Sequence, residues 1–251
     1  MNILVTNDDG IYSDGIRALA EALKEIGAVT VVAPDAERSA IGHAITLTHP
    51  LRVKDAARNG QFFGYSTNGT PADCVKLAIR SLMKKKPDLV VSGINQGPNT
   101  GYNVLYSGTV SGATEGAILG IPSFAISLGA YERPDFTFAA GFAKKLAKLI
   151  TENKKLPLGT LLNVNVPAVP AKLIKGVKIA RQSKAVMEER FDKRIDPRKQ
   201  VYYWLTGEVV KPDGTRDSDI EAVRAKYISI TPIHCDMTNY DLMDELASWN
   251  F

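Results

Sequence analysis

Residues 1–10 read Met1-Asn2-Ile3-Leu4-Val5-Thr6-Asn7-Asp8-Asp9-Gly10, an apolar run that stops abruptly in a polar, acidic cluster. Ile3 to Val5 are too few for a helix and rich in β-formers, which suits a short strand buried on both faces of a parallel sheet. After Gly10, residues Ile16, Leu19, Ala20 and Leu23 recur at helical spacing, and Val29 to Ala33 form a second apolar run closed by Pro34. Residues 1–34 are therefore expected to form a β-α-β unit with Asp8 and Asp9 at the carboxyl end of its first strand.

The same alternation continues along the chain. A helix is expected from Pro71 to about Lys85, with Thr70 as its cap and Pro71 at the first helical position. Strands follow at Leu89–Val91, Ser123–Ser127 and Leu161–Val166, with helices at about Val110–Leu119 and Phe136–Thr151 between them. A Gly/Asn-rich loop spans Ser92 to Gly108. Strands alternating with helices of this length imply an α/β fold, a mostly parallel sheet with helices on both faces. Residues 1–170 are read as this core. Residues 171–251 are read as an appendage of the same structural domain. Charged and aromatic residues between Lys178 and Lys211, including Tyr202, Tyr203 and Trp204, suggest an extended β-hairpin arm. A strand at Tyr227–Thr231 and a helical stretch from Tyr240 to Trp249 follow, before the chain ends at Phe251.

Composition narrows the classes of function. The 251 residues are 45% hydrophobic and 23% charged, an ordinary globular profile with ample material for a core. A net charge of +4 comes from 31 basic and 27 acidic residues that are interspersed, which argues against a stable nucleic-acid complex. The run Lys84-Lys85-Lys86 reads as a solvated helix end, where cations suit the dipole. Cys74 and Cys235 stand far apart and outside any spaced Cys/His cluster, so neither zinc nor a disulfide is indicated, and a reducing cytoplasm fits. The opening residues do not have the form of a signal peptide, and no apolar stretch reaches the roughly 18 residues that span a membrane.

In open parallel sheets, ligands bind beyond the carboxyl ends of the strands. Two adjacent carboxylates there repel each other unless a cation intervenes, and hard divalent cations prefer oxygen ligands. Asp8 and Asp9 fit that role, although an Asp beside Gly also commonly caps a helix or makes an Asx turn. Ser39, in the cluster Pro34–Ser39, and Asn95 offer neutral oxygens that would complete a site for Mg²⁺ or Mn²⁺; each alone could equally be a turn residue. The stretch Val91–Gly101, VSGINQGPNTG, packs three glycines and two asparagines into one loop, permitting close backbone approach to a ligand. It matches neither the P-loop nor the dinucleotide fingerprint. Ser107-Gly108-Thr109 directly precedes a helix, where amides and hydroxyls could hold an anion or simply cap the helix.

These blocks taken together carry a resemblance. TNDDG from Thr6, PDAERSAIGHAITL from Pro34, GTPADCV from Gly69, VSGINQGPNTG from Val91, YSGTVSGATEG from Tyr106 and YISITPIHCDMT from Tyr227 resemble, in order, the signature blocks of the SurE family of survival proteins. The resemblance implies a Rossmann-like core and a nucleotidase dependent on one divalent metal ion, acting on nucleoside 5′-monophosphates and in some cases on 3′-monophosphates or short polyphosphate. It implies metal ligands at Asp8, Asp9, Ser39 and Asn95, of which Asp8, Asp9 and Asn95 are also catalytic. Asn99, Ser107, Gly108 and Thr109 are expected to bind substrate. It implies a homodimer or homotetramer built partly by an exchanged C-terminal element. One departure is Ala40, where many members carry Gly after the motif serine. His43 is read as incidental. The reading from another class is a non-catalytic Mg-dependent nucleotide-binding or stress-signalling module. Against a receiver-like protein, no later phospho-acceptor Asp with a conjugate Lys follows Leu89 or Ser123.

Overall fold

The computed structural model describes residues 1–132, 134–153, 156–211 and 214–250, so Phe251 lies outside the described residues. The chain runs β1 (Asn2–Thr6), α1 (Asp14–Lys24), β2 (Ala28–Pro34), β3 (Val53–Arg58), β4 (Gln61–Thr67), α2 (Pro71–Leu77), β5 (Leu89–Gln96), α3 (Asn103–Tyr106), α4 (Gly108–Ile118), β6 (Ser123–Leu128), α5 (Thr137–Asn153) and β7 (Thr160–Val166). It continues through β8 (Val177–Ile179), β9 (Val186–Ile195), β10 (Val201–Lys211), α6 (Asp219–Arg224), β11 (Ile228–His234) and α7 (Tyr240–Ala247). Nine strands form one sheet in the order β3-β4-β2-β1-β5-β6-β7-β11-β8, and β9 pairs with β10 as a separate two-stranded arm.

The strands from β4 across to β7 are mutually parallel, whereas β3 is antiparallel to β4 and β11 is antiparallel to β7. The central strands are covered on both faces: Ile3, Leu4, Val5, Leu89, Val90 and Val91 are wholly buried. That double burial is why these strands read as continuous apolar runs rather than alternating ones. Ile3, Val5, Val91 and Ile126 pack with α1 and α5 on one face. Leu4, Val32 and Val90 face α2, and Ala125 and Leu161 face α4, on the other.

Helix α4 lies unusually close to the sheet because its inner face is built from small residues. A Cβ added at Gly112 would fall 2.8 Å from both Ser92 Oγ and Thr6 Cγ2, and one at Gly116 would fall 2.3 Å from Ser123 Oγ. This close seating brings the N-terminus of α4 down onto the end of β1.

Several elements differ from what the residues alone suggest. The hairpin β3–β4 is absent from the periodicity because β3 is a polar edge strand. Its one local sign is Asn59-Gly60, both with positive φ (51° and 75°), the turn chemistry that a tight hairpin needs. The helix from Pro71 is regular only to Leu77, passes into a π turn over Ala78–Leu82, and ends before the lysines. Lys86 therefore serves another helix: its Nζ donates to the carbonyl of Leu119, the C-cap of α4, at 3.2 Å. β5 runs on to Gln96 and a one-turn helix, α3, interrupts the expected loop. The arm starts at Val186 rather than Lys178, because Val177–Ile179 joins the main sheet beside β11. Consecutive residues on an extended strand point to alternate faces, so at least one of Tyr202, Tyr203 and Trp204 had to be exposed; in the single chain all are.

Asp219, wholly buried at the start of α6, accepts from the backbone amides of Gly101 (2.9 Å), Ser183 (3.0 Å) and Ile220 (2.8 Å). It thereby ties the late segment to the loop that follows β5. Replacing Asp219 by Ala leaves these buried donors unpaired, and denaturant unfolding should show a loss of about 2–4 kcal/mol. A loss below about 0.5 kcal/mol would mean that the tie carries little weight.

Candidate active site

The strand order reverses at β1. Its neighbours are β2, reached through α1 on one face, and β5, which leads into α4 on the other. The carboxyl ends of β1 and β5 therefore splay into a crevice at the topological switch point. Asn7-Asp8-Asp9-Gly10 leaves β1 there. The loop after β2 crosses it, held by the Arg38 amide donating to the carbonyl of Asp8 at 2.7 Å.

Asp8 is 4% exposed, and its carboxylate faces the first turn of α4. The Thr109 hydroxyl donates to Asp8 Oδ1, with a further bond from the Thr109 backbone. Gly108 is required by the same approach, since a Cβ there would sit 2.8 Å from Asp8 Cβ and 3.1 Å from the Arg38 carbonyl oxygen. Burial nonetheless pushes the Asp8 carboxyl above its ordinary value, against the Thr109 bonds and with a further push from Glu37. The Asp9 carboxyl is pushed from 3.8 up to about 7, first by burial and then by the charge of Asp8, while the Gln96 amide, 3.3 Å from Oδ2, works the other way. The charges acting on both aspartates are thus other carboxylates, an arrangement that a bound cation would relieve.

Asp9, Glu37, Ser39, Gln96 and Tyr131 line one cleft of about 560 Å³. Ser39 Oγ donates to Glu37 Oε1 at 2.6 Å. Asn95 adjoins Gln96 just past an irregularity in the β5–β6 register, where Gly93 pairs with Ile126 and Asn95 with Ser127. The extra residue, Ile94, is wholly buried, whereas the Asn95 side chain is partly exposed and donates to the Gly97 carbonyl at 2.8 Å. Asp8, Asp9 and Ser39 are therefore gathered at the switch point, with Asn95 at its β5 rim. Among the described residues no three His, Cys, Asp or Glu side chains form a metal-holding group by themselves. A cation here would accordingly draw on Ser and Asn oxygens as well as the two carboxylates, a donor set that suits a hard divalent ion.

The anion-binding candidates divide. Ser107 accepts from the Val110 amide at 3.1 Å and so caps α4, while Thr109 and Gly108 pack directly against Asp8. Asn99 is 8% exposed and sits behind the crevice. Its amide nitrogen donates to Asn165 Oδ1 (2.8 Å), its side chain donates to Ser127 Oγ (2.9 Å), and its carbonyl accepts from Asn163 (2.8 Å) and Asn165 (3.0 Å).

Glu37, Gln96 and Tyr131 were not foreseen. Glu37 and Gln96 lie inside motifs already singled out and could have been found by their position there. Tyr131 carries no local signal, and it reaches the site through its carbonyl, which accepts from Gln96 Nε2 at 2.5 Å. Ala40 has φ 55°, a conformation that favours glycine, which gives the departure at that position a structural meaning.

These features define a Rossmann-like α/β protein whose ligand crevice has an acidic floor beside a helix N-terminus. Residues 3–189 match the family described as survival protein SurE. The chain is 53% identical over 250 residues to the 5′-nucleotidase SurE of Syntrophobacter fumaroxidans, covering 100% of both chains. It is 53% identical to that of Syntrophus aciditrophicus, covering 99% of this chain and 93% of the relative. The crystal structure of the SurE protein from Aquifex aeolicus superposes with a TM-score of 0.85 at 44% identity, covering 98% of each chain. The chain belongs to the SurE family.

The elevated Asp9 pKa has a testable sign. A carboxyl with a folded-state pKa near 7 and an unfolded value near 3.8 favours the metal-free fold when protonated, so that stability falls as pH rises from about 4 through 7. Asp9→Asn should therefore stabilise the metal-free protein by about 1–3 kcal/mol at pH 8, the gain shrinking towards pH 4. Thermal melts in chelator across that range check this; a variant less stable than the parent at pH 8 would contradict it.

Proposed function

We propose that the protein is a divalent-metal-dependent phosphomonoester hydrolase that releases inorganic phosphate from nucleoside 5′-monophosphates, with 3′-monophosphates and short polyphosphate as further substrates. The observation that carries the reading is the pair Asp8–Asp9 at the switch point, whose charged neighbours are themselves acidic and which abuts the N-terminus of α4. The relatives' name, 5′-nucleotidase SurE, supports the same activity.

In this proposal Asp8, Asp9, Ser39 and Asn95 hold one Mg²⁺, Mn²⁺ or similar ion. When bound, such an ion supplies Lewis-acid charge for phosphoryl transfer to water. The chain does the rest by position. The first turn of α4, Ser107 to Thr109, offers its positive end to the phosphoryl oxygens, and Gly108 lets that turn lie close to Asp8. Asn99 holds the loop after β5 against β6 and β7, so that Asn95 and Gln96 keep their places at the rim.

We also propose a homo-oligomer formed through the arm and the tail. Helix α7 buries none of its residues in the single chain: Leu242 and Met243 on it, and Met237 and Trp249 beside it, are exposed. Together with Tyr202, Tyr203 and Trp204 exposed on the arm, these side chains offer apolar surface of the kind that interfaces cover.

Phosphate release from a panel of nucleoside monophosphates, with and without chelator, tests the activity. Asp8→Asn should lower kcat at least about a hundredfold while circular dichroism stays unchanged. Release that survives both chelator and Asp8→Asn would overturn the metal-dependent reading, and binding of nucleotide with no release would favour a non-catalytic module. For the assembly, truncation after Thr238 should shift the mass seen by light scattering towards monomer. A truncated chain that keeps the parent mass would remove the tail from the interface.

A further inference from the structure

The loop between β2 and β3 carries Ser39 but contains no helix or strand from Asp35 to Arg52. It also runs through two left-handed residues, Ala40 (φ 55°) and Gly42 (φ 60°). For Ala that left-handed conformation is sterically costly, so the segment needs external ties to hold its course. One tie lies beside the proposed ligand, where the Arg38 amide bonds to the Asp8 carbonyl. The others lie beyond it. The Gly42 amide donates to the Tyr106 carbonyl at 3.0 Å, just before α4 begins. Thr46 bonds through its amide and hydroxyl to Asp73 at 3.0 and 2.6 Å, and the Thr70 hydroxyl donates to the Ala44 carbonyl at 2.7 Å.

The tie between these two sets runs through a buried carboxylate. Glu115, on α4, has a side chain only 3% exposed, yet both its oxygens are engaged: Oε2 with His43 Nε2 at 2.9 Å, and Oε1 with Lys76 Nζ on α2 at 2.7 Å. Burial works to raise this carboxyl, but the His43 and Lys76 contacts outweigh it and hold the group below its ordinary value. A buried carboxylate with two such partners is a strong, directional anchor, and removing one partner leaves the charge poorly compensated. The same helix presents Gly108 and Thr109 to Asp8, so Glu115 ties the loop of Ser39 to the helix that seats Asp8.

We propose that His43, held by the Glu115 carboxylate that Lys76 also engages, is a positioning residue that sets Ser39 against the Asp8–Asp9 pair and thereby tunes cation binding. This rests on the metal-site reading above and assigns His43 a role that acts through Ser39, with no contact to the reacting atoms.

The test is a double-mutant cycle on Mn²⁺ binding, followed by isothermal titration, with Asp9→Asn as a control for the site itself. His43→Ala should weaken Mn²⁺ binding about tenfold, in the range found for groups that orient metal ligands. His43→Gln, whose side-chain amide can still donate to Glu115, should recover most of that loss. In Ser39→Ala the further change His43→Ala should cost less than about twofold, because the ligand through which it acts is gone. Hydrogen exchange of residues 39–46 in the metal-free protein should quicken in His43→Ala while α4 stays protected. Losses that multiply in the double variant, or binding by His43→Ala equal to the parent, would overturn the clamp while leaving the site intact. A parent chain that takes up no Mn²⁺, or an Asp9→Asn variant that binds as the parent does, would overturn the clamp and the metal-site reading together.

Discussion

The contact between the Asp8 carboxylate and the first turn of α4 is the constraint on which the crevice depends. A buried carboxylate at the end of β1 is costly, and burial alone pushes its pKa upward. The Thr109 hydroxyl and backbone, at the positive end of a helix, offset part of that cost. The rest of the arrangement follows from bringing the helix so close. Gly108 leaves room for Asp8, and Gly112 and Gly116 let the helix lie on Thr6, Ser92 and Ser123. The small-residue composition of α4 is therefore as much a part of the site as the aspartates.

The same contact leaves Asp9 without comparable help. Its carboxyl receives one long backbone hydrogen bond and faces the charge of Asp8, and Glu37 stands close enough to add to the repulsion. Such an uncompensated cluster destabilises the fold by itself and marks a place where charge is held for use. The proposed cation gives it a use. Ser39, hydrogen-bonded to Glu37, lines the same cleft as Asp9.

Much of this was legible in the residues. The β-α-β opening, the order of the remaining helices and strands from Pro71 to Val166 apart from α3, and the cap at Thr70 all follow from apolar runs, helical spacing and capping chemistry. What escaped notice was set by long-range pairing. The edge strand β3 has too few apolar residues to alternate, and it is a strand because β4 is beside it. The antiparallel course of β11 depends on its place beside β7. The site divides in the same way. The family blocks point to Asp8, Asp9, Ser39 and Thr109, which the fold gathers at one crevice. They contain Glu37 without marking its role, because its effect comes through space. Nor do they show that Asn99 faces β6 and β7, or that the histidine at position 43 meets a buried glutamate 72 positions away in the chain.

The central claim is that one divalent cation binds between the ends of β1 and β5. Anomalous diffraction from crystals equilibrated with Mn²⁺ tests it most directly. The account predicts a single strong peak at metal–oxygen bonding distance from Asp8, Asp9, Ser39 and Asn95, lost in Asp9→Asn crystals. An empty crevice at saturating Mn²⁺, or a peak held by other residues, would contradict it.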